Sequence, residues 1–175
     1  MNFFAKPAFL LRVLAATLIA ASSVQADDEK AVLDTLQPVA DAAFKGDYTA
    51  NLDVTYEPMI VEMGGKEKIK ATVEQMKQRM AAAGFRMLKH AILKPVRFVK
   101  TEKNKYAIVR TLTEMQTPQG LARSESFQLG IEVTPGKWQF VDGSQAPAAI
   151  KKYFADFPAD EKLPEIKQDL IPTEK

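Results

Sequence analysis

The chain has 175 residues, of which 24 are basic and 22 acidic, with one histidine and no cysteine. The missing cysteine excludes disulfides, thiolate nucleophiles and cysteine-ligated metals. The near-even charge offers no basic surface of the kind nucleic acid requires.

Residues 1–26 differ from the rest. Lys6 and Arg12 precede a short apolar run over 13–20, Val24-Gln-Ala26 satisfies the small-x-small rule, and Asp27-Asp-Glu29 follows. This is the pattern of a secretory signal peptide cleaved after Ala26. The apolar run is shorter than the roughly 20 residues of a membrane-spanning helix, so no membrane anchor is expected after cleavage. Without the leader the basic and acidic residues number 22 each. The expected location is periplasmic or secreted, with one domain over 27–157 and a C-terminal tail over 158–175.

From Asp28 onward, Val32, Leu33, Leu36, Val39, Ala40, Ala43 and Phe44 recur at helical spacing, and Gly46 fits a C-cap. The acidic start suits the positive end of a helix dipole. Pro38 is expected to kink or divide this helix. A turn-rich connection over 46–51 leads to a short segment, 52–65, punctuated by Pro58 and Gly64-Gly65. The clearest helix runs over 66–83. It carries Ile69, Val73, Met76 and Met80 on one face and stops at Gly84.

Four extended segments follow at 85–100, 105–116, 121–133 and 137–142. They are rich in β-branched and aromatic residues and are separated by Thr, Pro and Gly turns. Alternation puts Tyr106, Ile108, Arg110, Leu112 and Glu114 on one face of the second segment. It aligns Phe127, Leu129, Ile131 and Val133 in the third, and Trp138 with Phe140 in the fourth. One strongly apolar sheet face is therefore expected, the other being mixed, as in a solvated or dimer-forming face. Pro95 argues for a bulge or an edge in the first segment, and so for a bent sheet. A last helix is expected over 147–154 with Ser144 as its N-cap. The prolines and charges beyond 158 suggest a loosely ordered tail or a surface strap.

Tyr56-Glu-Pro58 with Gly64-Gly-Lys-Glu-Lys-Ile69, followed by Gly136-Lys-Trp-Gln-Phe-Val-Asp142, resembles the nuclear transport factor 2-like superfamily, including its SnoaL-like and ketosteroid-isomerase-like branches, over 29–157. The resemblance implies an α+β fold in which a curled antiparallel sheet, covered by N-terminal helices, forms a cone. It implies dimerisation through the sheet and a ligand in the cone's open end. In an isomerase- or cyclase-type member, Asp53 would be the base and Tyr56 its hydrogen-bonding partner. Met59, Glu62, Met76, Met80, His90, Arg110, Glu114 and Trp138 are the candidate pocket residues.

Fold does not choose function. A lone histidine without clustered carboxylates offers no transition-metal site, and no cofactor is expected. The leading expectation is an exported, non-catalytic binding or accessory domain for a small apolar or amphipathic molecule. An isomerase-like enzyme using Asp53 and a protein-interaction module are the alternatives.

Overall fold

The computed structural model describes the backbone of residues 8–172 and the side chains of 25–172. Lys6, the side chains of Arg12 and the apolar run, and residues 173–175 lie outside the described residues.

Helix α1 spans Ala8–Phe44 without a break. It passes through Asp27-Asp-Glu29, so those acids do not form its first turn, and Pro38 lies inside it without dividing it. Val32, Leu36 and Ala40 form its buried stripe. Gly46 ends it at φ +85°, with its N–H bonded to Ala43 O and the Asp47 N–H to Ala42 O, both at 2.9 Å. This bonding satisfies the last carbonyls of the helix. A 3-10 turn over Thr49–Asp53 leads into helix α2, Glu57–Glu62, whose first turn takes Pro58. Helix α3, Lys66–Ala82, stops at Gly84 (φ +78°) in the same way as α1, with the Phe85 N–H on Met80 O. Among the described residues no helix is long and apolar enough to cross a membrane.

Strands β1 (Arg86–Lys100), β2 (Lys105–Thr117), β3 (Gly120–Thr134) and β4 (Lys137–Asp142) form an antiparallel meander in chain order. Helix α4, Ala146–Tyr153, follows, and strand β5, Lys167–Pro172, closes the described chain. The segment read as a tail or strap therefore carries a strand. One edge of β3 is shared, its later half pairing with β4 and its earlier half with β5.

The sheet is neither curled nor closed. Its path ends at β1 on one side and at β4 and β5 on the other, with no ladder between these edges. Curling needs bulges that bend several neighbouring strands. Here the central β2–β3 ladder runs from Tyr106↔Ile131 to Thr117↔Gly120 without a register shift. Register shifts fall only in the flanking ladders, between Met87 and Lys89 and between Leu93 and Arg97 of β1 and between Glu132 and Thr134 of β3; the second brackets Pro95, which has no N–H to give to the ladder. The cone-like fold is thus overturned, and with it the resemblance to the nuclear transport factor 2-like superfamily. The α+β composition stands. The residues that carried the resemblance serve local ends: Pro58 opens α2, Gly64-Gly65 closes it, and Trp138 and Phe140 sit on an ordinary strand.

The expectation of a single apolar face is also corrected. Residues directly opposite each other in a ladder share a face, and the register pairs Leu129 with Val141 and Gly130 with Phe140. Phe127, Leu129 and Ile131 therefore join Tyr106, Ile108 and Val141 on one face, under Ala149, Phe154 and Phe157. Trp138 and Phe140 join Ala107 and Val109 on the other, under Val32 and Leu36 of α1. Gly130 makes this second core close, since a Cβ there would lie 2.7 Å from Phe140 Cε1. Both faces are buried at the same end of the sheet. α3 covers neither, as no residue of it is buried.

Two polar clamps tie the layers together. Lys105 Nζ lies 2.7 Å from Asp28 Oδ1 on α1 and 3.1 Å from Glu132 Oε2 on β3. Asp156, beyond α4, accepts hydrogen bonds from Tyr106 OH at 2.6 Å, from Asn104 Nδ2 and from Thr101 Oγ1.

Candidate functional site

The most developed recess lies where α1 ends, between its last turn, α3 and β1. Two adjoining cavities of about 340 and 250 Å³ share Tyr48 and Met87 in their walls. The larger brings Val73 and Met76 of α3 to His90, Thr113 and Gln128 on the sheet. The smaller is walled by Phe44, Met80 and Phe85. On the far side of His90 a third hollow, about 330 Å³, is bordered by Phe44 and Leu88. Larger but shallower is a depression of about 550 Å³ along α1, between Ala26, Leu33 and Gln37 on the helix and Ile92 on β1.

Local sequence explains the recess. The glycine stops at Gly46 and Gly84 turn the chain sharply at the ends of α1 and α3. Tyr48 and Phe85 are thereby set just beyond two helix ends, and Phe44 and Met80 just before them. Such apolar pairs normally meet across the cap. Here these four side chains wall a hollow, beside an α3 stripe whose Ile69, Val73 and Met80 are only half-buried and whose Met76 is exposed.

His90 is the titratable centre of this region. Its Nδ1 lies 2.8 Å from Thr113 Oγ1, and burial pushes its pKa below the ordinary imidazole value. The ring is therefore neutral near pH 7 and can either donate or accept a hydrogen bond. Asp47, at the rim, accepts bonds from the Thr49 N–H and hydroxyl at 3.0 and 2.7 Å, which hold its carboxyl below the usual range. Asp142 is occupied in the same way by Ser144.

Of the ten residues singled out in the sequence, the recess gathers three: Met76, Met80 and His90. The others lie elsewhere. Asp53 is exposed and paired with Lys66 at 3.0 Å. Tyr56 packs in the α4-side core, its ring 5.0 Å from that of Phe154, with Met59 in the same cluster. Glu62 bonds Lys152 and Tyr153 at the surface. Arg110 pairs with Glu125 at 3.3 Å, and Glu114 sits opposite Arg123 in the β2–β3 ladder. Trp138 is buried under α1, and its Nε1 has no acceptor among the described residues. Asp53, Tyr56 and Arg110 thus stand in three separate surroundings, not around one cavity.

Phe44, Tyr48, Phe85 and Met87 were not among the candidate site residues, although Phe44 was marked as part of the helical stripe. Their signal was positional: each flanks a glycine helix stop, in Phe44-Lys-Gly46-Asp-Tyr48 and Gly84-Phe-Arg-Met87. Among the described residues no group of three histidine or acidic side chains is placed to hold a metal ion. The chain matches no family model, no curated protein and no solved structure.

Proposed function

We propose that the chain is an exported binding or accessory module that takes a small apolar or amphipathic molecule into the recess between α1, α3 and β1. The observation that carries this reading is the pair of joined cavities with Met76, Met80 and Met87 in their walls. Unbranched thioether side chains adapt to varied apolar shapes. A ligand covering half-buried side chains gains about 25 cal/mol per Å² of apolar surface removed from water. Small-molecule sites commonly span about 300–1,000 Å³; the larger hollow, at about 340 Å³, reaches the low end of that range by itself. Residues 1–26 support export.

Two measurements test the reading. Titration with the neutral dye N-phenyl-1-naphthylamine should give saturable, blue-shifted emission, abolished when Met87→Trp fills the shared wall. Dye emission that never saturates, or that is indifferent to this substitution, removes the recess as the site. Cell fractionation with N-terminal sequencing should yield an exported chain beginning at Asp27. A full-length chain retained in the cytoplasm removes the export.

A second reading, a protein-interaction module or a homodimer, rests on β5. All its residues are exposed, Leu170 and Ile171 by more than half. Exposed apolar edge strands invite pairing with another chain. Sedimentation of the wild type against Ile171→Lys should show association only in the former.

A further inference from the structure

The smaller cavity has a charge pattern that narrows the ligand. Lys45, Lys77 and Arg86 line it together with Phe44, Met80 and Phe85, and no acidic residue does. Among the described residues none of these three cations has a carboxylate partner within ion-pair distance. Ion pairs among the described residues fall on Lys30, Lys66, Arg97, Lys105, Arg110, Arg123 and Lys152, and most other cations lack one too; what sets these three apart is the apolar wall they share. Two acids stand close by outside the lining: Asp41 borders the neighbouring hollow with Lys45 and is bonded by Gln37, and Asp47, whose carboxyl feels the field of Lys77, is bonded by Thr49. Three like charges around an apolar hollow repel one another. A ligand that brings a negative charge relieves that repulsion while its body covers the aromatic and thioether wall.

We infer that the recess binds a monomeric single-chain anionic amphiphile. Its carboxylate sits among Lys45, Lys77 and Arg86, and its apolar body runs past Tyr48 and Met87 toward Val73 and Met76. This rests on the binding role proposed above and gives it a ligand class. The arginine offers a planar fork suited to a carboxylate, and the two lysines act as mobile point charges. The Lys77 stem lies against the turn at Gly46, its Cε 3.9 Å from where a Cβ would stand.

The test is calorimetric titration of the exported chain with decanoate, decanol and decyltrimethylammonium, all below their micelle concentrations, alongside the neutral naphthylamine dye. Decanoate should bind more tightly than decanol, and the cation least. Lys77→Gln and Arg86→Gln should each weaken decanoate by about three- to fivefold, the scale of a partly exposed ion pair, and weaken the neutral dye by clearly less; equal losses for both ligands would overturn the anionic assignment. Lys151→Gln, an exposed site on α4, should leave all four ligands unchanged. If the dye binds but decanoate gains nothing over decanol, the anionic head is wrong and the binding role survives. Equal loss from Lys151→Gln would reduce the effect to general charge and overturn the assignment. If neither dye nor decanoate binds, the binding role itself falls.

Discussion

The two ends of the sheet differ sharply. Around Tyr106–Val109, Leu129 and Phe140, helical layers cover both faces and the side chains are removed from water. Toward the β2–β3 turn, β5 is wholly exposed and α3 buries nothing. Yet α3 and α1 carry similar apolar stripes. The difference lies in the strands. Under α1, alternation from Ala107 and Val109 keeps the face apolar, and Gly130 lets Phe140 seat deeply. Continued along the same face, alternation gives Thr111, Thr113, Ser124, Ser126 and Gln128. An apolar helix stripe set over hydroxyls and amides has little to gain by closing on them. A stable core and an open recess thus arise from one sheet by a change in residue type at alternating positions.

If that contrast is right, the largest effect belongs to the closed end. Phe140→Ala should cost about 3–5 kcal/mol, as for other buried aromatics, read as a shift in the urea midpoint. Gly130→Ala attacks the same contact from the opposite strand. The added methyl would lie 2.7 Å from the Phe140 ring, and overfilling of this kind costs about 1–3 kcal/mol. Midpoints that barely move in both variants would mean that this end is no tighter than the other.

Much of the local structure was legible in the sequence, because its signals are local. The third helix ends within a residue of its expected limit, and Gly46 and Gly84 end their helices for the conformational reason that marked them. The shape of the sheet was not legible. Whether Phe140 faces α1 or α4 depends on its pairing with Gly130, and a slip of one residue would reverse it. Pro95 announced a bulge but could not say that the central β2–β3 ladder would stay regular. The candidate site was half visible. Met76, Met80 and His90 were marked by composition, whereas Phe44, Tyr48, Phe85 and Met87 meet only because two glycine-capped helix ends come together. The unpaired state of Lys45, Lys77 and Arg86 depends on where every acid lands, which no single stretch of sequence encodes.

The Asp156 clamp sharpens the comparison through pH. Its bonds from Thr101, Tyr106 and Asn104 hold its carboxyl at about 2, against an ordinary 3.8, despite the opposing effect of desolvation. Burial and the same carboxylate raise the Tyr106 hydroxyl. A carboxyl depressed in the folded state adds stability that is fully present above its unfolded value and disappears as pH falls through its folded value. Tyr106→Phe should therefore destabilise by about 1.5 kcal/mol near neutrality, the lower range for a hydrogen bond to a charged group. The gap between variant and wild type should narrow as pH drops from 3.8 toward about 2. A gap that is constant across that window would place the loss in core contacts and not in the clamp.

The smallest effect should come from the open end. Met80→Ala removes three heavy atoms from a helix that buries no residue, so the stability read from urea unfolding should fall by less than about 0.5 kcal/mol. The same substitution enlarges the wall of the smaller cavity and should weaken the naphthylamine dye. Hydrogen exchange gives a second view. Amides of α3 should exchange well before those of β2, because helices with few buried contacts open without global unfolding. A loss of 2 kcal/mol or more on Met80→Ala, with α3 protected as strongly as β2, would mean that α3 closes onto the sheet in solution. The recess would then be filled by the protein's own side chains, and the contrast between the two ends would disappear with it.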